Sequence, residues 1–190
     1  HQPGVIAYST ELMWKMLEET CSELSRNGLK KIILMNGHGG NNSFLAYFCQ
    51  AQLASPRDYI VVLFQPDPDE KKISSLKKTQ LDGHAGEEET SMMYFIRPDL
   101  VHTEMAKTQS GDDQARLKQL PYAYTGIWWY ARFPNHYAGD GSQYSRELGE
   151  LLVKGDAVQL SELIRFLKTD NSIEKLQMEF FNRAQNPLQK

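Results

Sequence analysis

The chain has 190 residues, with 21 Lys and Arg against 24 Asp and Glu and a formal charge of −3. That length suffices for one domain with a sizeable core, and the near-neutral balance leaves no basic footprint for nucleic acid. No apolar run approaches the roughly 20 residues that a bilayer span needs, and the two cysteines, Cys21 and Cys49, fall in predicted amphipathic helices and suit buried thiols in a reducing, cytoplasmic setting.

In chain order, His1-Gln2-Pro3-Gly4 is loop-like, and a first residue that is His and not Met leads us to expect a processed or truncated chain, or a portion of something longer. Val5-Ile6-Ala7-Tyr8 is expected as a short strand. Ser9 or Thr10 caps a helix that gathers Leu12, Met13, Met16, Leu17, Cys21 and Leu24 on one face. Asn27-Gly28 offers a left-handed end to it. Ile32-Ile33-Leu34-Met35 reads as a strand buried on both faces. The run Asn36-Gly37-His38-Gly39-Gly40-Asn41-Asn42 then turns the chain, and Asn42 or Ser43 caps a helix that reaches about Ala54 before Ser55-Pro56 breaks it. Its spacing fits neither GxGxxG nor a Walker A loop. Tyr59-Ile60-Val61-Val62-Leu63-Phe64 is the clearest strand. This rhythm predicts an α/β class: a single domain, residues 1–190, with a mainly parallel central sheet flanked by helices on both faces. His38 then sits at the carboxyl end of a strand, where open α/β sheets bind ligands.

Residues 65–81 shift to Pro, Asp, Lys and Ser and read as a solvated loop with one poor helix. Asp82-Gly83-His84-Ala85-Gly86-Glu87-Glu88-Glu89-Thr90-Ser91 follows, ahead of a helix with Met92, Met93, Phe95 and Ile96 that stops before Pro98. The macrodipole accounts for acids in a first turn, but not for a histidine held between glycines just upstream. Histidine and glutamate are the side chains used for borderline metals and for proton transfer near neutral pH. Gly126-Ile127-Trp128-Trp129-Tyr130-Ala131-Arg132-Phe133 reads as a hydrophobic strand or core segment, with the tryptophans also able to wall a pocket around a flat ring. His102 and His136 read as ordinary histidines, His136 beside Asp140 being the better functional candidate of the two. From Ser142 the chain is helical, with one apolar stripe through Leu148 and Leu151, a second after Gly155, and a last helix around Leu176, Phe180 and Phe181; residues from about 156 form a helical tail. No Gly-x-Ser-x-Gly elbow and no cysteine beside a base supports covalent catalysis.

Asn36-Gly37-His38-Gly39-Gly40-Asn41 and His84-Ala85-Gly86-Glu87-Glu88-Glu89-Thr90-Ser91 resemble, in order and separation, the two internal signatures of the creatininase (creatinine amidohydrolase) family. Pro3-Gly4 and Gly139-Asp140-Gly141 with Arg146-Glu147-Leu148-Gly149 are similar to further family segments, so the likeness spans roughly residues 1–155. The resemblance implies hydrolysis of cyclic amide, formamide or related C–N bonds with one or two divalent metals (Zn, Mn or Fe), on a small-molecule substrate, in a homo-oligomer that is commonly a hexamer, with no nucleic-acid or membrane partner. It implies His38 and Glu89 as metal ligands and His84 as the proton shuttle to the leaving nitrogen. Glu87 either orients His84 or caps the helix. Trp128, Trp129, Asn36, Gly39, Gly40 and Asn41 are expected near substrate, with Asn36 or Asn41 orienting the histidine or the loop. Two departures stand out. The family's upstream Glu-x-His-Gly-Pro-His-Leu-Pro-x-x-Thr-Asp segment has no counterpart, so the N-terminal portion of the family domain is expected to be missing. Gly40 stands where creatininases proper carry an acid, which points away from creatinine as substrate. The rival expectation is a catalytically silent binding or assembly subunit.

Overall fold

A computed structural model describes residues 2–188. They fall into two compact units, one of residues 3–66 with those from Leu160 onward, the other of residues 67–159 with Gln2.

The first unit is built on a parallel pair, β1 (Lys31–Met35) and β2 (Ile60–Phe64), in register Lys31 to Ile60 through Met35 to Phe64. Helix α1 (Thr10–Arg26) starts at Ser9, whose hydroxyl accepts the Leu12 N–H, and ends at Asn27 ahead of Gly28 at φ +90°. It lays Cys21 against Ile32, Phe48 and Tyr59, with Trp14, Leu17 and Leu24 packed around them. Helix α2 (Asn42–Ala51) supplies Phe48, whose ring meets Trp14 at 5.1 Å, edge-on. Burial raises both thiols, the core Cys21 and the half-buried Cys49, above the ordinary range, as inert cysteines should be. Helix α7 (Ser172–Gln185) reaches the start of β2 through Gln177, whose amide donates to the Tyr59 carbonyl at 3.0 Å. Lys31 ties the start of β1 to the helical C-terminal part: its ammonium donates to the carbonyls of Leu167 and Asp170, both at 2.6 Å, and pairs with Glu174 at 3.0 Å.

The second unit carries α3 (Glu70–Leu76), β3 (Asp82–His84), α4 (Glu87–Ile96), α5 (Trp128–Arg132), β4 (Ala138–Gly139) and the start of α6 (Arg146–Thr169), whose residues from Leu160 belong to the first unit. Strands β3 and β4 pair antiparallel, Asp82 opposite Gly139 and His84 opposite Ala138. Helices α4 and α6 approach until a Cβ at Gly149 would lie 2.0 Å from the Ser91 carbonyl oxygen. At the same crossing the Ser91 hydroxyl accepts the Ser145 N–H at 3.0 Å.

The α/β class with parallel pairing is as expected, and several local readings need correction. Val5 to Tyr8 forms no strand. Strand β1 is not buried on both faces: Ile32 is buried and Met35 is 61% exposed, because alternate side chains point oppositely and the α1 side carries the cluster. Neither Asn42 nor Ser43 caps α2; a 3-10 turn over Gly39–Asn41 leads into it instead. Residues 128–132 are helix, not strand, closed by the Arg116 guanidinium, which donates to the carbonyls of Tyr130 and Ala131. Helix α6 runs unbroken through Gly155, since one helical glycine costs only about 1 kcal/mol. Among the described residues no helix is long and apolar enough to cross a membrane.

Candidate active site

The loop after β1 is held by Asn36. Its Oδ1 accepts the His38 N–H at 3.1 Å, and its amide donates to the His38 carbonyl at 2.8 Å and to Asn42 Oδ1 at 2.7 Å. Asn41 donates to Asn36 Oδ1 at 3.4 Å. Both asparagines thus order the loop backbone. The exposed His38 ring folds over Gly40, where a Cβ would meet its Nε2 at 2.5 Å.

In the second unit, His84 ends β3 and the chain turns into α4 through Ala85, at φ +53°. Glu89 closes that turn: its Oε2 accepts the Ala85 N–H at 2.7 Å and stands 3.5 Å from His84 Nδ1. Thr90 donates to the Ala85 carbonyl at 3.1 Å. The glycines beside His84 mark close packing. A Cβ at Gly86 would lie 2.1 Å from Asp82 Oδ1, and one at Gly83 would press on Ala138 and Trp129 at 3.3 and 3.4 Å. The Asp82 side chain is nearly covered, accepts the Glu88 N–H at 2.9 Å and faces Lys77 at 3.5 Å; burial raises its carboxyl above the usual range.

His84 meets a second histidine. The His136 ring lies 4.2 Å from it, tilted by 50°. Trp129, on α5, donates its indole N–H to His136 Nδ1 at 2.8 Å. His136 stands at φ +68°, a conformation few non-glycine residues adopt. His84, Glu89, Thr90, His102, Asn135 and His136 all line one cavity of about 560 Å³, whose remaining wall includes the apolar Met93, Leu100 and Met105. Such a mixed lining, apolar with a few convergent polar groups, suits a small organic molecule.

The predicted residues are therefore distributed as follows. His84 and Glu89 share the cavity, while His38, Asn36, Gly39, Gly40 and Asn41 form the β1 loop of the first unit. Glu87 is wholly buried, and its carboxylate accepts the backbone N–H groups of Lys78 and Thr79 at 2.7–3.0 Å. Trp128 and Trp129 are not among the cavity's lining residues; Trp129 reaches it through His136. Sequence reasoning did not name Asn135 and read His102 and His136 as ordinary histidines, the signal for His136 as the better candidate being its closeness to Asp140. His84 and Glu89 offer imidazole and carboxylate donors suited to zinc or its neighbours. Among the described residues, however, no three His, Cys, Asp or Glu side chains gather so as to hold a metal ion.

Comparison with known proteins bears on this geometry. The family model described as creatininase, creatinine amidohydrolase, matches residues 1–164. A creatinine amidohydrolase of Pseudomonas putida is 27% identical over 113 residues, 53% of this chain and 44% of that protein, so the match spans under half of the relative's length. A candidate creatinine amidohydrolase from Bacteroides fragilis NCTC 9343 superimposes with TM-score 0.72 at 22% identity, over 90% of this chain and 67% of the other. A mutant creatininase of the Zn–Zn type gives TM-score 0.66 at 24% identity, over 90% and 69%.

Proposed function

This chain belongs to the creatininase family, and on that premise we propose that it is a metal-dependent amidohydrolase cleaving a cyclic or other non-peptide C–N bond, of amide or formamide type, in a small molecule other than creatinine. The observation that carries the reading is the His84–Glu89 pair, 3.5 Å apart, on the wall of the second unit's cavity. A divalent cation, when bound, acidifies a water and polarises the carbonyl under attack; His38, on the first unit, and Glu89, on the second, are each proposed as metal donors, and the described residues do not by themselves complete a shell.

The chain's own residues supply the proton chemistry. With the Glu89 carboxylate facing Nδ1 at 3.5 Å, Nε2 of His84 is the atom we assign to take a proton from the attacking water and return it to the leaving nitrogen. Glu87 acts on the fold, pinning residues 78 and 79. Asn36, Gly39, Gly40 and Asn41 present the loop backbone to substrate, and Trp128 and Trp129 back the pocket. Likeness to the family supports a cytoplasmic homo-oligomer, a hexamer. The absence of a three-donor group among the described residues favours the second reading, a silent binding or assembly subunit.

The test takes the natural gene product, measures its metal content, and follows hydrolysis of a panel of cyclic amides, cyclic ureas and N-formyl compounds. Chelation should abolish turnover and zinc or manganese restore it. His84→Ala should lower turnover on the order of a hundred- to ten-thousand-fold with metal content nearly intact, whereas His38→Ala should lose both. Turnover that survives complete metal removal refutes the reading, and a metal-free natural product without hydrolysis supports the silent subunit. Equal metal loss in the two variants would make His84 a ligand.

A further inference from the structure

His136 is held in place at some conformational expense. Its left-handed backbone, at φ +68°, is fixed by the His136 N–H donating to the Phe133 carbonyl at 3.0 Å. The preceding Asn135 locks the same turn, donating to Gln109 Oε1 at 3.2 Å and to the Ser110 carbonyl at 3.0 Å, and accepting the Tyr137 N–H at 3.4 Å. Sparsely populated backbone that is over-determined by its surroundings points to a side chain whose placement matters. That side chain is gripped on two sides: the Trp129 indole N–H to Nδ1 at 2.8 Å, and the His84 ring at 4.2 Å. An indole nitrogen can only donate, so Nδ1 of His136 is the bare nitrogen and Nε2 carries the proton. One tautomer and one ring plane are thereby selected.

From this geometry we infer that His136 is a positioning residue for His84: the Trp129-locked imidazole is a rigid wall that holds the His84 ring in a single rotamer at the cavity. This rests on the reading of His84 as the proton-transfer group. The Glu89 carboxylate faces one nitrogen of His84 at 3.5 Å, too far to lock the ring by itself; the facing His136 ring supplies the restraint. Misplacing a reacting group by about an ångström costs on the order of a hundredfold in rate.

The variant that isolates the ring is His136→Asn. Asparagine tolerates positive φ and its Oδ1 can accept from the indole, so the backbone and the Trp129 bond survive while the wall is lost. Trp129→Phe is the companion, removing the donor and leaving the His136 ring. In long-range 1H–15N spectra of the labelled full chain, wild type should show His136 as one Nε2–H tautomer and His84 as one sharp ring. His136→Asn should shift and broaden the His84 ring signals with the indole N–H still protected, and Trp129→Phe should mix the His136 tautomers and broaden His84 as well. On a turned-over substrate, His136→Asn should lower kcat about tenfold or more at nearly constant KM. His84 ring signals that superimpose on wild type in both variants overturn the proposal. Wild type without turnover would refute the hydrolase reading alone, because the spectra decide the His136 role without substrate.

Discussion

Glu87→Ala tests whether the buried member of the acidic triplet serves the fold or the chemistry. The side chain is fully buried, and its two oxygens accept the N–H groups of Lys78 at 2.9 and 3.0 Å and of Thr79 at 2.7 Å. Truncation strands two part-buried backbone donors, each at the low end of the 1–3 kcal/mol scale, about 1 kcal/mol apiece, because water reaches them in part. Removing the buried Cγ methylene adds about 0.8 kcal/mol, so Glu87→Ala should cost about 3 kcal/mol. Glu87→Gln keeps the shape: an amide oxygen in the Oε2 position still accepts at 2.9 and 2.7 Å, while the NH2 faces the Lys78 N–H without a partner, for a loss of about 1 kcal/mol. Urea unfolding, read as the midpoint at constant slope, ranks the three proteins. If Glu87 instead orients His84, the Gln variant loses turnover by about a hundredfold or more while both variants unfold like wild type, and that result refutes the structural assignment.

Other consequences are as direct. Lys31→Met removes charge-assisted bonds to two helix-end carbonyls and the Glu174 pair; it should cost about 2 kcal/mol, seen as a Tm lower by about 4–8 °C. Gly149→Ala places a methyl against the Ser91 carbonyl, 2.0 Å away before relaxation, and should destabilise by about 3 kcal/mol through overpacking, whereas Gly155→Ala, with open space around it, should stabilise by several tenths of a kcal/mol or more in thermal unfolding. Asp140 is held below the usual carboxylate range by the Ser142 hydroxyl, and also by the Ser142 N–H and the Gln143 amide. Its folded value is the lower one, so its contribution is present above the unfolded carboxylate value and lost as pH falls through the folded value. Asp140→Asn should therefore flatten the acid limb of a stability-versus-pH curve.

Much of the fold was legible because local signals agreed with one another. Ser9 ahead of an amphipathic run, Asn27-Gly28 behind it, and β-branched runs at residues 31–35 and 60–64 each specify one conformation. Where signals were local but ambiguous, the reading failed for identifiable reasons. Apolar residues at 127–131 suit strand and helix alike, and the Arg116 guanidinium that closes α5 comes from outside the segment. Glycines around His84 look permissive in sequence, yet Asp82, Ala138 and Trp129 already fill the places their side chains would take.

The site divides along the same line. His84 and Glu89 were each named from sequence in separate roles, and the structure brings them together within a single helical start, from Ala85 N–H to Glu89 Oε2. His136 was read only as the better functional candidate of two ordinary histidines, because what makes it consequential is a pairing across the β3–β4 ladder, His84 opposite Ala138, which brings the two rings together from separate motifs. Antiparallel register of that kind depends on backbone pairing and leaves no mark in spacing. Trp129 shows the complement: it was expected as a pocket wall for its apolar face, and the structure uses its one polar atom, the indole N–H, on His136. An amphipathic side chain offers two kinds of contact, and which of them meets His136 is decided by the short helix that carries it. Residue type therefore announced where chemistry was available, and topology decided which partner each group received.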